Sequence, residues 1–164
     1  MRKAILPFLF SLLAVNHAVA NPLTITENTF FPFGQKLSAV LTHLETHCTS
    51  VSVKRNLDLE VPTATESQTQ VDCKNYAPLK HDGLSEWVFA DDSLDIVWVL
   101  SPMAHLQHTK ATLTQQGISA DYSMGNMADF YLERGFGFRY QPTEYLYFSD
   151  RLKPFYKQWL EHQS

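Results

Sequence analysis

LSEWVFADDSLDIVWVLS, residues 84–101, is the stretch that decides the fold class. Two runs rich in β-branched and aromatic residues, 87–90 and 94–100, flank Asp91-Asp92-Ser93, a pattern typical of a β-hairpin. After Asp95, residues 96–100 of the second run are all apolar, so both faces of the predicted strand are apolar there. We therefore expect a central strand that is covered on both sides, by helices or by the aromatic C-terminal region.

Three helices are predicted around this hairpin. Residues 34–47 carry Leu37, Val40, Leu41 and Leu44 at the spacing of one helical face. Ser101-Pro102 is a helix-start signal, and Gly117 is a plausible stop for the helix that follows. Near the C-terminus, an amphipathic helix is marked by Leu152, Phe155, Tyr156, Trp159 and Leu160.

Further strands are predicted on both sides of the hairpin. The apolar residues of 51–61 fall on odd positions, the signature of a strand with one buried face. Val71 and Cys73 suggest a returning strand, residues 126–134 a helical turn, and residues 143–149 another strand. Together these elements predict an α+β domain: an antiparallel sheet packed by an N-terminal helix, a central helix and a C-terminal amphipathic helix, with one disulfide.

The N-terminus has the pattern of a secretory signal peptide. Residues 1–20 combine Arg2 and Lys3, an apolar run, and Ala18-Val-Ala20 as a small-residue cleavage site. We expect residues 21–164 to form a single exported domain, periplasmic in a bacterium and otherwise secreted. Because disulfides persist in exported proteins, Cys48 and Cys73 are predicted to be bonded to each other.

The sequence disfavours binding to nucleic acid and a membrane-spanning segment. The chain has 13 Lys and Arg residues against 17 Asp and Glu residues, and it has no basic run of the kind that follows a phosphate backbone. No stretch after the signal peptide approaches the roughly 18 apolar residues of a membrane helix. We therefore expect neither nucleic acid nor a transmembrane span.

Histidines supply the zinc hypothesis. In HLETHC, residues 43–48, His43 and His47 are four residues apart, but we expect Cys48 to be used by the disulfide. His105 and His108 can share a helical face, and His81 can join them from the preceding loop. The alternative function is therefore a metal-assisted hydrolase with a histidine-based zinc site, whereas the main hypothesis needs no cofactor. No catalytic motif is visible, which argues against an enzyme.

The C-terminal third is rich in aromatic residues, and most of these should belong to the core. In a strand, however, Tyr145 and Tyr147 alternate with Leu146 and Phe148, so we expect one pair to be exposed. Exposed tyrosines beside Arg139 suit contact with a protein or a small ligand. We therefore predict a binding domain that contacts an envelope protein or a small ligand through Arg139, Tyr145 and Tyr147.

Overall fold

The computed structural model describes residues 23–162, and the predicted signal peptide lies outside them. Within these residues, eight strands form one antiparallel sheet. The strands are β1 Ser50–Lys54, β2 Gln68–Lys74, β3 Leu84–Ala90, β4 Ser93–Leu100, β5 Tyr122–Ser123, β6 Ala128–Tyr131, β7 Phe136–Tyr140 and β8 Thr143–Phe148. The α+β class is confirmed, as are the hairpin and the predicted strand at 143–149.

In the described part of the chain, three α-helices accompany the sheet, close to the predicted positions. They are α1 Leu37–His47, α2 Met103–Gln115 and α3 Lys153–Glu161. Pro154 lies in the first turn of α3, where its missing N–H breaks no helical hydrogen bond. Across residues 23–162, none of the helices has the length and apolar character required to cross a membrane.

The sheet consists of two meanders joined at its centre. The strand order is β1-β2-β3-β4-β8-β7-β6-β5, so each group of four strands is contiguous in sequence. The groups meet where β4 pairs with β8, with Trp98 opposite Leu146 and Ile96 opposite Phe148. Strand β4 is therefore central, as its two apolar faces predict.

Each face of the sheet carries its own apolar core. On one face, Trp87 and Tyr145 share a buried cluster with Leu44 of α1 and Leu106 of α2. The opposite face carries Val88, Ile96, Leu146 and Phe148, which cluster with Leu152 and with Leu160 of α3. We call this second side, defined by those four strand residues, the α3 face. Because side chains alternate along a strand, β4 and β8 contribute to both cores.

The predicted disulfide is confirmed. Cys48 ends α1, Cys73 lies in β2, and their Cα atoms are 5.6 Å apart, within the range that an unstrained disulfide spans. The bond therefore fixes the C-terminal end of α1 to the sheet.

One local prediction is wrong and a second holds only in part. The strand expected over 51–61 ends at Lys54, because Asn56 adopts a left-handed conformation with φ of 55° that turns the chain away from the ladder. The continuation then lies on the α3 face, where Val61 is buried. Residues 126–134 contain β6 before a single 3-10 turn, Leu132–Arg134, because pairing with β7 extends this segment.

Candidate functional site

A cleft of about 690 Å³ opens on the α3 face, between α3 and residues 60–62. Its volume is in the range of about 300–1,000 Å³ that is typical of small-molecule sites. Its floor consists of side chains from four strands: Gln68 and Gln70 of β2, Glu86 and Val88 of β3, Ile96 and Trp98 of β4, and Arg139 of β7. Strand β8 lies between β4 and β7 in the sheet. The cleft thus spans the junction between the two meanders.

Aromatic side chains of α3 form one wall of the cleft. Phe155 and Trp159 are 45% and 44% exposed, although large apolar side chains are usually buried. Between them, Tyr156 packs inward on Phe130 and Phe148, with ring centres 5.6 and 4.8 Å apart, and burial raises the pKa of its hydroxyl. The helix is therefore anchored by Tyr156 while its two neighbouring rings face the cleft and solvent.

Two contacts hold the Arg139 side chain in place in the floor of the cleft. It is directly opposite Glu144 in the β7–β8 pairing, and its guanidinium forms an ion pair with the Glu144 carboxylate. The Arg139 Cζ atom also lies 4.3 Å from the centre of the Trp98 ring, a cation–π distance. The structure therefore brings this predicted contact residue into the cleft.

Glu144 is a buried acid beneath Arg139. Its side chain is 1% exposed, and burial raises the pKa of its carboxyl to about 7, while the charge of Arg139 acts in the opposite direction. Glu86 is a second acid of the same face and raises the pKa of Glu144 further. This part of the α3 face therefore holds two carboxylates close to one guanidinium.

The predicted contact residues Tyr145 and Tyr147 do not reach the surface. Both are fully buried on the side of the sheet that carries α1 and α2. The Tyr145 hydroxyl lies 2.9 Å from the Thr109 hydroxyl, and the Tyr147 hydroxyl donates to the Ile25 carbonyl at 2.9 Å. Leu146 and Phe148 are buried as well, because β8 is central and both of its faces are covered. The expectation that one pair is exposed is therefore wrong.

Two of the three histidines of the zinc hypothesis are neighbours. The rings of His81 and His105 are 6.0 Å apart, and burial lowers the pKa of His105. One ring nitrogen of each has a hydrogen-bond partner: His81 Nε2 lies 2.9 Å from the Leu100 carbonyl and His105 Nδ1 lies 3.3 Å from the Ser101 hydroxyl. The buried Nδ1 of His81 has no hydrogen-bond partner among the described residues. Within residues 23–162, no three His, Cys, Asp or Glu side chains are placed to hold a metal ion. The zinc site stays a hypothesis without support from this arrangement.

The histidines of HLETHC have structural contacts. Their rings stack with centres 4.2 Å apart, His43 Nε2 lies 2.7 Å from the Tyr76 hydroxyl, and His47 Nδ1 lies 2.8 Å from the His43 carbonyl. With Cys48 in the disulfide, this segment is a helix end packed against Tyr76.

Sequence reasoning missed Glu86 and Trp98 as cleft residues. A signal existed, because Glu86 directly precedes the apolar run 87–90 and the hairpin pairing places it directly opposite Trp98. The remaining lining comes from segments far apart in the chain, which periodicity cannot bring together. No protein-family model, curated protein or solved structure matches this chain.

Proposed function

We propose that this chain is an exported binding domain that takes up a small ligand in the cleft on its α3 face. The observation that carries the proposal is a cleft of about 690 Å³ with exposed aromatic rings above a polar and apolar floor. Such a mixture of contact area and a few polar groups is typical of ligand sites. The signal-peptide pattern and the disulfide support export.

The distribution of the helices leaves room for a ligand on one face of the sheet. Helices α1 and α2 contribute to the core of one face, whereas α3 packs on Phe130 and Phe148 of the other. The α3 face is therefore left accessible beside the helix, over β2, β3 and β4, where the cleft lies. The proposed contact region therefore combines the C-terminal third of the chain with the residues of the β3–β4 hairpin that line the cleft. Of the three contact residues predicted from the sequence, only Arg139 belongs to it.

The three tryptophans provide a direct test. Trp98 and Trp159 line the cleft, whereas Trp87 is fully buried on the opposite face of the sheet. In ¹⁵N-labelled protein, a ligand in the cleft should shift the indole N–H signals of Trp98 and Trp159 in a fragment screen and leave that of Trp87 in place. Fragments that move none of the three signals, or only that of Trp87, would contradict the proposal.

Variants of the aromatic wall complete the test. Replacing Phe155 and Trp159 together by alanine should weaken binding at least about tenfold, because both rings supply contact area. Met127→Ala is the matched control, since Met127 is an exposed apolar residue that does not line the cleft. Equal affinity in the two variants would refute a role for the cleft.

A second candidate function is contact with another envelope protein, favoured by the exposure of Phe155 and Trp159 on the same helix. Photo-crosslinking from position 159 in the envelope separates the two candidates. A specific protein adduct, lost when Phe155 is replaced by alanine, would favour the protein partner over a small ligand.

The zinc hydrolase is a separate hypothesis on His81, His105 and His108. It predicts stoichiometric metal in protein purified without chelator. Native mass spectrometry that finds no added mass would dispose of it.

A further inference from the structure

The charges of the cleft indicate the class of ligand, an inference that rests on the proposed function. We infer that the cleft takes an organic cation, a positively charged nitrogen attached to an apolar or aromatic body. The reasons are the position of Glu86, the pairing of Arg139 and the aromatic surroundings.

Glu86 supplies a carboxylate on the floor. It is half-buried and lies directly opposite Trp98 across the β3–β4 pairing. On its other side it is opposite Asp72, whose own charge is paired with Lys54 at 2.7 Å. A cation bound beside Glu86 would meet a carboxylate partly shielded from water, where attraction between opposite charges is stronger than in bulk solvent.

Arg139 does not reverse this negative balance. It is the one Arg or Lys among the described residues that line the cleft, and above pH 7, where Glu144 is mostly ionised, its charge is matched by the Glu144 carboxylate beneath it. The lining also holds two acids, Glu60 and Glu86, and one histidine, His162, at the end of α3. With Arg139 and Glu144 balanced, the remaining charge of the cleft is negative and favours a cation over an anion.

The aromatic groups suit the same ligand. Trp98 already accepts a cation within the protein, since the Arg139 guanidinium lies 4.3 Å from its ring centre. Phe155 and Trp159 offer further ring surfaces at the mouth of the cleft. Aromatic faces attract cations and also pack on apolar bodies, so one ligand of this class uses both the carboxylate and the rings.

Three probes with the same body and different charge test the inference. They are 3-phenylpropylammonium, 3-phenylpropanol and 3-phenylpropanoate, titrated at pH 7.5 while the indole signals of the tryptophans are followed. The ammonium compound should bind about tenfold or more tightly than the alcohol, and the carboxylate more weakly than either. Its affinity should fall as salt is added, whereas that of the alcohol should not.

Glu86→Gln isolates the proposed contact. This variant should bring the affinity for the ammonium compound to within about threefold of the affinity for the alcohol, and the affinity for the alcohol should be unchanged. Glu45→Gln is the matched control, because Glu45 is an exposed acid of α1, the helix that packs on the opposite face. An unchanged Trp87 signal in each variant shows that the fold is intact.

The outcomes separate the inference from the proposed function. Equal affinity for the three probes, or tightest binding of 3-phenylpropanoate, overturns the inference and leaves the ligand cleft standing. An unaltered preference for the ammonium compound in Glu86→Gln overturns the role of Glu86. No movement of the Trp98 and Trp159 signals with any probe at millimolar concentration overturns the proposed function itself.

Discussion

Glu144→Gln should change how the stability of this domain depends on pH. Glu144 is 1% exposed, and burial raises the pKa of its carboxyl from 4.5 to about 7, against the opposing charge of Arg139. The folded state therefore holds this proton more tightly than the unfolded state does. Its stabilising contribution is complete below pH 4.5 and is lost as the pH rises through about 7.

The size of the effect follows from these two pKa values. At about 1.4 kcal/mol for each tenfold change in proton affinity, the wild type should lose about 2–3 kcal/mol from this group between pH 5 and pH 8. Glutamine cannot ionise and contributes no such loss. The free energy of unfolding of the variant minus that of the wild type should therefore rise by about 2–3 kcal/mol over this range.

Urea unfolding of both proteins at pH 5 and pH 8 measures this difference. Burial lowers the pKa of His43 and of His105, which titrate in the same range with the opposite sign, but their contributions cancel between wild type and variant. Glu45→Gln reports the effect of removing one exposed negative charge. A difference between Glu144→Gln and wild type that stays constant within about 0.5 kcal/mol would refute the argument from burial.

Three further predictions concern stability. Replacing Cys48 and Cys73 by serine should cost about 3 kcal/mol, measured by urea unfolding without reductant, because the disulfide closes a loop between residues 25 apart; a loss below about 1 kcal/mol would contradict this. Gly135→Ala should lower the free energy of unfolding by about 1–3 kcal/mol more than Gly125→Ala does. The two glycines have nearly the same φ, 59° and 61°, but only at Gly135 would the new methyl group meet backbone, 2.7 Å from the Phe148 carbonyl oxygen. Equal melting of the two variants would refute that contact. Asp95→Ala should lower the free energy of unfolding by about 2–3 kcal/mol, because the fully buried carboxylate accepts hydrogen bonds from the hydroxyls of Thr63 and Ser149. If Ser149→Ala destabilises the Asp95→Ala variant as much as it destabilises the wild type, the Ser149–Asp95 hydrogen bond contributes nothing and the argument is wrong.

The elements that the sequence predicted correctly are those whose periodicity reflects their own burial. The 3-4-7 spacing of α1 and the apolar faces of β4 arise from the cores that these segments contact, so both were predictable. The extension of β1 to residue 61 failed because the odd-position pattern continues after Asn56 has turned the chain. A pattern of alternation cannot show that the second half buries Val61 on the other face of the sheet.

The candidate site was less predictable than the fold. Arg139 was identified because it is a charged residue within an aromatic region, and it does lie in the cleft. Tyr145 and Tyr147 were misplaced, because alternation shows that two faces exist but not that both are covered. The cleft itself depends on the β4–β8 pairing and on the position of α3, which are long-range contacts that local sequence patterns do not contain.

The two-meander sheet has a consequence for folding and for ligand uptake. Within each meander, neighbouring strands are also neighbours in sequence, so their pairing closes shorter loops than the β4–β8 ladder, which joins Ile96 to Phe148. We expect the meanders to form early and their joining to be the slow step. Trp98 belongs to the first meander and Trp159 to the helix that follows the second, so the cleft exists only once the two are joined. A ligand that contacts both tryptophans would hold the two halves together and slow their separation.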